Sequence, residues 1–124
     1  MDRGYAINLT HERAIHHFVN KEYSEAEFLY RQLCHKQPDS TNWLTRGLCF
    51  KFMEMYSSAI YCFHQSLKMK KNEFKAHYHL GTSFLALHDY KRAVDYLNRA
   101  AELEPTSDLP YYMKGLLSKY IMKS

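Results

Sequence analysis

Histidine and cysteine are the residues of this sequence that could bind a metal ion or supply a nucleophile. The chain has eight His and three Cys among 124 residues. Zinc ligands on one helix are spaced three or four residues apart, and no His has a second His or a Cys at either spacing. The sequence therefore predicts no metal site and no cofactor. Three cysteines without a CxxC pair favour reduced thiols, so Cys34, Cys49 and Cys62 are interpreted as small core side chains.

Sequence signatures of catalysis are absent as well. The chain contains no GxSxG nucleophile turn, no GxxxxGK[ST] phosphate loop, no HExxH helix and no paired acidic motif in a loop. Every Ser, His and Asp that could form a triad has a simpler place on a helix. We therefore predict that the protein is not an enzyme and has no small-molecule substrate.

A cluster of lysines could bind an anion. Lys68, Lys70, Lys71 and Lys75 lie within eight residues of one another. The preferred interpretation is a solvated surface near a helix C-terminus, where cations interact favourably with the helix dipole. Binding of an acidic protein or of RNA through phosphate contacts is the alternative, and the absence of arginine from the cluster weakens the RNA interpretation.

Composition narrows the protein class. Lys and Arg number 17 against 13 Asp and Glu, which gives a net charge of +4, and Gly (4) and Pro (3) are scarce. Low Gly and Pro content argues against many short strands joined by tight turns. No run of 18 apolar residues and no apolar leader is present, so we expect no membrane insertion and a cytoplasmic protein, with the nucleus as an alternative.

An internal repeat dominates the sequence. Gly47, Gly81 and Gly115 are spaced by 34 residues, and a spacing of 33 separates Tyr23 from Tyr56. Several other positions keep the 34-residue interval, namely Trp43 with His77 and Tyr111, Phe50 with Phe84, Ala59 with Ala93, and Phe63 with Leu97. Such agreement at several offsets indicates a repeat protein.

Each repeat contains two helical patterns with a short polar break between them. Leu80, Phe84 and Leu87 fall at i, i+4 and i+7, and a second such pattern follows after His88 and Asp89. The predicted helices lie at 6–20, 23–36, 40–54, 56–70, 73–88, 90–103 and 108–122. Pro38 and Pro105 are predicted to follow the ends of second helices.

These offsets resemble the tetratricopeptide repeat (TPR) family. The third unit carries its pattern at Leu80, Gly81, Phe84, Tyr90, Ala93, Leu97, Ala100 and Pro105. The departures are His77 for Trp in the third unit, and Arg46 for Leu, Ser66 for Ala and Lys71 for Pro in the second. The resemblance implies a single all-α domain over 1–124, a right-handed superhelical solenoid. It would hold helix pairs at 6–39, 40–73 and 74–107, with 108–124 as a capping helix or a truncated fourth unit.

The TPR register also predicts a peptide-binding groove, because the first helix of each pair lines the concave face. The predicted groove residues are Leu48, Phe52, Lys75, Tyr78, His79 and Tyr112, with further lining positions at Leu44, Thr45 and Leu85.

Chaperone-binding TPR domains hold a C-terminal carboxylate with a clamp of Lys, Asn and Arg. The matching positions are His11, Ile15, Thr45, Lys75 and His79, of which Lys75 alone agrees. Binding to chaperone tails is therefore not expected, although His11 and His79 are predicted to gain charge near pH 6.

The last predicted helix is more apolar than a solenoid end requires. Leu117, Tyr120 and Ile121 are the interface residues we predict there. Three explanations stay open: the chain is a fragment of a larger TPR protein, it forms a homo-oligomer, or this end binds another protein.

The leading function predicted for the protein is a scaffold that binds a partner's peptide segment in the groove, and the alternative is an assembly or dimerisation module.

Overall fold

The chain folds into six α-helices in a computed structural model, which describes residues 3–105 together with residues 108, 112, 115, 118 and 119. The helices are α1 (Arg3–Val19), α2 (Tyr23–Lys36), α3 (Ser40–Phe52), α4 (Tyr56–Met69), α5 (Phe74–Ala86) and α6 (Tyr90–Leu103). They pack as three pairs, α1 with α2, α3 with α4 and α5 with α6, and each pair contacts the next through α2 with α3 and α4 with α5. The predicted all-α helical-repeat fold is confirmed.

The predicted helix limits agree with the observed ones to within three residues for all six helices. The seventh predicted helix, 108–122, lies mostly outside the described residues. Within it, the Tyr112 N–H donates to the Asp108 carbonyl at 3.1 Å, which is the spacing of a helical hydrogen bond.

Local sequence signals explain where the helices begin and end. The Asp39 carboxylate caps α3 by accepting from the Asn42 N–H at 2.7 Å, and Asp89 caps α6 by accepting from the Arg92 N–H at 3.2 Å. Helices α2 and α6 each end two residues before a proline, Pro38 and Pro105, as predicted from the sequence.

The core lies between the helix pairs and uses the repeated small and aromatic residues. Phe63, Leu80 and Leu97 are fully buried, and so are the alanines of the repeat pattern, Ala26, Ala59 and Ala93. Cys34, Cys49 and Cys62 are also buried, and burial raises the pKa of their thiols to about 12, 12 and 11. Their interpretation as core side chains is confirmed.

Two glycines bring the helices of a pair into close contact. A Cβ placed on Gly47 would lie 2.5 Å from Cε1 of Phe63, and one on Gly81 would lie 2.5 Å from Cγ of Leu97. The third glycine of the series, Gly115, has no described atom within 4 Å of such a Cβ. Gly47 and Gly81 therefore set the separation of the paired helices.

The turn inside each pair contains a residue with left-handed backbone. These residues are Lys21, Glu54 and His88, with φ of 60°, 60° and 62°. A residue with a Cβ is strained in this region by about 1–2 kcal/mol, whereas glycine is not.

Replacing Glu54 with glycine is therefore expected to stabilise the protein by about 0.5–1 kcal/mol, because strain relief exceeds glycine's larger entropy loss on folding. Urea denaturation of the wild type and the variant measures the difference. Glu54→Ala is the matched control, since alanine keeps the strain and should give no gain. An equal gain from both substitutions would contradict this explanation.

Candidate functional site

The first helices of the second and third pairs, α3 and α5, meet on one side of the helix array. Helices α3 and α5 contact each other directly in addition to their second-helix neighbours. This approach of first helices makes their side the inner side of the stack, and we call it the inner face. It is the face on which the sequence places the predicted groove.

A polar cluster joins α3 to α5 on the inner face. The Lys51 ammonium contacts Nδ1 of His79 at 2.9 Å and donates to the Thr82 hydroxyl. The same ammonium lies 5.7 Å from the centroid of the Tyr78 ring. We call Lys51, Tyr78, His79 and Thr82 the Lys51 cluster.

Burial controls the protonation of this cluster. Loss of solvent lowers the pKa of Lys51 to about 8. Burial, followed by the charges of Lys51 and Lys75, lowers the pKa of His79 to about 3. At neutral pH, His79 is therefore a neutral acceptor and Lys51 the cation. The prediction that His79 gains charge near pH 6 is wrong, because periodicity places a residue on a face without giving its depth or its charged neighbours.

Among the described residues, no carboxylate pairs with the Lys51 ammonium. The ion pairs within the described part of the chain do not include it, and its contacts are neutral groups. Arg46, the other cation on α3 that is largely withdrawn from solvent, is paired with Glu27 at 3.1 Å. Lys51 thus differs from Arg46 in lacking internal charge compensation.

An aromatic cleft lies beside this cluster. Its described lining consists of Phe74, Tyr78, Asp108 and Tyr112, and its volume is about 320 Å³. The Phe74 and Tyr78 rings stack with centroids 6.1 Å apart, and Tyr112 is 52% exposed. Burial and the nearby Tyr112 raise the pKa of Tyr78, so its hydroxyl stays protonated at neutral pH. The aromatic cleft therefore offers apolar surface together with a hydroxyl.

The remaining predicted groove residues occupy different surroundings. Lys75 is exposed, and Leu48 is half-buried against the core. Phe52, 50% exposed, belongs to a separate aromatic group with Tyr23, whose centroid is 5.0 Å away, and Phe18. The structure therefore brings Tyr78, His79 and Tyr112 together and places Phe52 in another group.

Two further predicted lining positions are wrong. Leu44 and Leu85 are 8% and 6% exposed and belong to the core. Both side chains pack between helices instead of lining an open groove. The predicted interface residues Leu117, Tyr120 and Ile121 lie outside the described residues.

The five positions that correspond to a carboxylate clamp do not form one cationic site. Thr45 donates its hydroxyl to the Thr41 carbonyl at 2.9 Å, and His79 contacts Lys51. Ile15 is 44% exposed and His11 packs edge-on against Tyr30. Lys75 is the one permanent cation among these positions.

The groove residues predicted from the sequence do not include Lys51. A signal was present, because Leu44, Leu48 and Lys51 fall at i, i+4 and i+7 on α3, and Leu48 was a predicted groove residue. Lys51 is the charged residue in a row of otherwise apolar positions on α3. Its place in that row indicates a cation on the side of the helix that carries Leu48.

A second feature missed from the sequence is a charged group between the first two pairs. The Glu27 carboxylate on α2 accepts from Arg31 Nε at 3.0 Å and from Arg46 Nε at 3.1 Å. The Arg46 guanidinium lies between the Trp43 and Phe50 rings, 5.4 and 5.5 Å from their centroids. Glu27 thus compensates for Arg46, which stands where the TPR pattern has Leu.

Within the described residues, no group of three His, Cys, Asp or Glu side chains is placed to hold a metal ion. No described helix is both long and apolar enough to cross a bilayer.

The paired helices, the 34-residue interval and the glycine contacts define a tetratricopeptide-repeat protein. The sequence model of the family described as anaphase-promoting complex, cyclosome, subunit 3 matches residues 19–115, and the chain belongs to this family. No curated protein sequence matches it.

Solved TPR structures resemble the chain over nearly its whole length. The Arabidopsis OM64 TPR domain superposes with a TM-score of 0.85 at 21% identity, covering 93% of this chain and 96% of that one. The first TPR of Spaghetti (RPAP3), bound to the HSP90 peptide SRMEEVD, gives 0.86 at 18% identity, covering 94% and 93%. The Yersinia enterocolitica type III secretion chaperone SycD, in complex with a peptide of the translocator YopD, gives 0.80 at 20% identity, covering 95% and 91%. At these identities the likeness concerns the fold.

Proposed function

We propose that the protein is an interaction scaffold that binds an extended segment of a partner protein along its inner face. The observation that carries this proposal is the aromatic cleft, where Phe74, Tyr78 and Tyr112 offer apolar surface beside the uncompensated Lys51 ammonium. Exposed aromatic residues beside a few placed polar groups are typical of peptide anchor sites.

Two of the similar structures support this use of the fold. The RPAP3 domain is bound to an HSP90 peptide, and SycD is in complex with a YopD peptide. The described clamp positions argue for a different ligand from a chaperone tail, because the Lys, Asn and Arg donors of a clamp are replaced at His11, Ile15, Thr45 and His79. That exclusion stays a prediction.

Removing either tyrosine side chain of the aromatic cleft tests the proposal. Tyr112→Ala and Tyr78→Ala are expected to weaken partner binding at least about tenfold, because buried aromatic anchors dominate the energy of such interfaces. Partners are captured from cell extract with the wild type and identified by mass spectrometry, and their affinities are then measured by calorimetry. Circular dichroism establishes that each variant is folded.

Phe28→Ala is the matched control, since Phe28 is 54% exposed on the second helix α2, away from the inner face. It should leave all affinities unchanged. Equal binding by the wild type and both tyrosine variants would show that the inner face is not the site. The alternative predicted from the sequence, an assembly or dimerisation module that uses the C-terminal helix, would then become the leading proposal.

A further inference from the structure

We propose that the Lys51 cluster binds the side-chain carboxylate of an Asp or Glu within the partner segment, while a neighbouring apolar residue of that segment enters the aromatic cleft. This inference rests on the proposed function and specifies the chemistry of the ligand. It also assigns to Lys51 a role in ligand specificity.

Charge complementarity favours an anionic group at Lys51. Lys51 is half-buried, and among the described residues its ammonium contacts the neutral imidazole of His79, the hydroxyl of Thr82 and the face of the Tyr78 ring. None of these supplies a negative charge. A carboxylate brought by a partner would form a charge-assisted hydrogen bond in a partly desolvated place, where such bonds are strongest.

Lys75 strengthens this preference. Lys75 lies one helical turn before His79 on α5, and its charge helps burial and Lys51 to lower the pKa of that imidazole, so Lys75 and Lys51 contribute positive potential to the same part of the inner face. Lys75 is exposed and keeps its reach toward solvent. An acidic segment would therefore meet two cations there.

Tyr78 fixes the spacing of the two ligand groups. The Lys51 ammonium lies 5.7 Å from its ring centroid, and the same ring lines the aromatic cleft. Side chains two residues apart in an extended peptide project on the same side and are separated by about 7 Å. An acidic residue two positions from an aromatic or aliphatic one matches this arrangement.

Asp108 determines which of the two ligand groups, the apolar side chain or the carboxylate, occupies the aromatic cleft. Asp108 is one of the residues that line the aromatic cleft, and its negative charge would repel a ligand carboxylate placed there. The apolar side chain therefore belongs in the cleft and the acid at Lys51. A chain-terminal residue with two carboxylates fits less well, because His79 is neutral and the other clamp positions offer no cation besides Lys75.

A capped peptide library tests the inference. Random ten-residue peptides, acetylated and amidated, are selected for binding to the wild type and resynthesised with each Asp or Glu changed to Asn or Gln. We expect the change to weaken binding at least about tenfold in the wild type. In Lys51→Met, the acidic and amide peptides should bind equally.

Lys68→Met is the matched control, because Lys68 is an exposed lysine of α4 outside the cluster, and it should keep the preference for acid. Thermal unfolding establishes that both variants are folded. Tyr112→Ala is titrated with the same peptides to show that they occupy the inner face.

The outcomes separate this inference from the proposed function. Peptides that need Tyr112 and bind equally well with Asn or Gln would overturn the inference and leave the proposed function standing. A preference for acidic peptides that is kept in Lys51→Met, or that is lost in Lys68→Met, would also overturn it. If no selected peptide depends on Tyr112 or Tyr78, both proposals fail.

Discussion

Glu27→Ala is expected to lower the free energy of unfolding by about 3 kcal/mol, the largest effect we predict for a single charged side chain. The carboxylate accepts hydrogen bonds from Arg31 and Arg46, and its side chain is 7% exposed. Without it, the Arg46 guanidinium stays between two aromatic rings with 17% exposure and no counter-charge. Urea denaturation at pH 7 measures the loss.

Two comparisons test whether the loss arises from the unpaired charge. Glu12→Ala, an exposed substitution on α1, should change stability by less than about 0.5 kcal/mol. The double variant Glu27→Leu, Arg46→Leu should recover most of the stability, because apolar residues of similar size can replace a buried ion pair. A double variant no more stable than Glu27→Ala would contradict the explanation.

The same carboxylate gives the protein a pH dependence. Burial alone would raise the pKa of Glu27, but the hydrogen bonds and charges of Arg31 and Arg46 outweigh it and hold the pKa below its ordinary value of 4.5. A lowered folded-state pKa means that the stabilisation is complete above pH 4.5 and is lost as the pH falls through the folded value. The stability of Glu27→Gln should therefore fall less steeply below pH 4.5 than that of the wild type.

Gly47→Ala and Gly81→Ala are each expected to destabilise the protein by about 1–3 kcal/mol. The new methyl group would lie 2.5 Å from Phe63 in one case and from Leu97 in the other, and both of these side chains are fully buried. The helices would have to separate, and the higher helix propensity of alanine offsets only about 1 kcal/mol of that cost. The midpoint of urea denaturation reports the change.

Gly115 provides the control within the same repeat series. Gly115→Ala meets no described atom within 4 Å and should leave stability unchanged or raise it by up to about 1 kcal/mol. Combining Gly47→Ala with Phe63→Leu should cost less than the sum of the single changes, since the smaller side chain makes room. Equal effects at all three glycines would show that close helix contact is not the cause.

The fold was predictable from the sequence because its determinants repeat. Glycine, alanine and aromatic residues at matching offsets predict the pairs, and Asp89 and Pro105 mark where helices begin and end. The same periodicity places Tyr78 and His79 on the first-helix face. These features are local, so the spacing along the chain is sufficient to find them.

The charged interactions were not predictable in the same way. Glu27 and Arg46 are 19 residues apart, and Lys51 and His79 are 28 apart, so each pair depends on how two units pack. From the sequence, Arg46 is a departure from the TPR pattern, and its carboxylate partner is visible only in three dimensions. The burial of a side chain also cannot be read from its spacing along the sequence, which is why Leu85 and the protonation of His79 were predicted wrongly.

The neighbour-to-neighbour packing described above has a consequence for synthesis on the ribosome. Among the described helices, the strongest contacts join successive helices, and all contacts among α1 to α4 are available once Met69 has emerged. Contacts this local in sequence favour rapid folding, so we expect the first two pairs to assemble while the rest is still being translated. Lys51 would then lie on an already folded surface until the third pair brings His79 and Tyr78 to it, so the proposed ligand site would form only after the first two pairs.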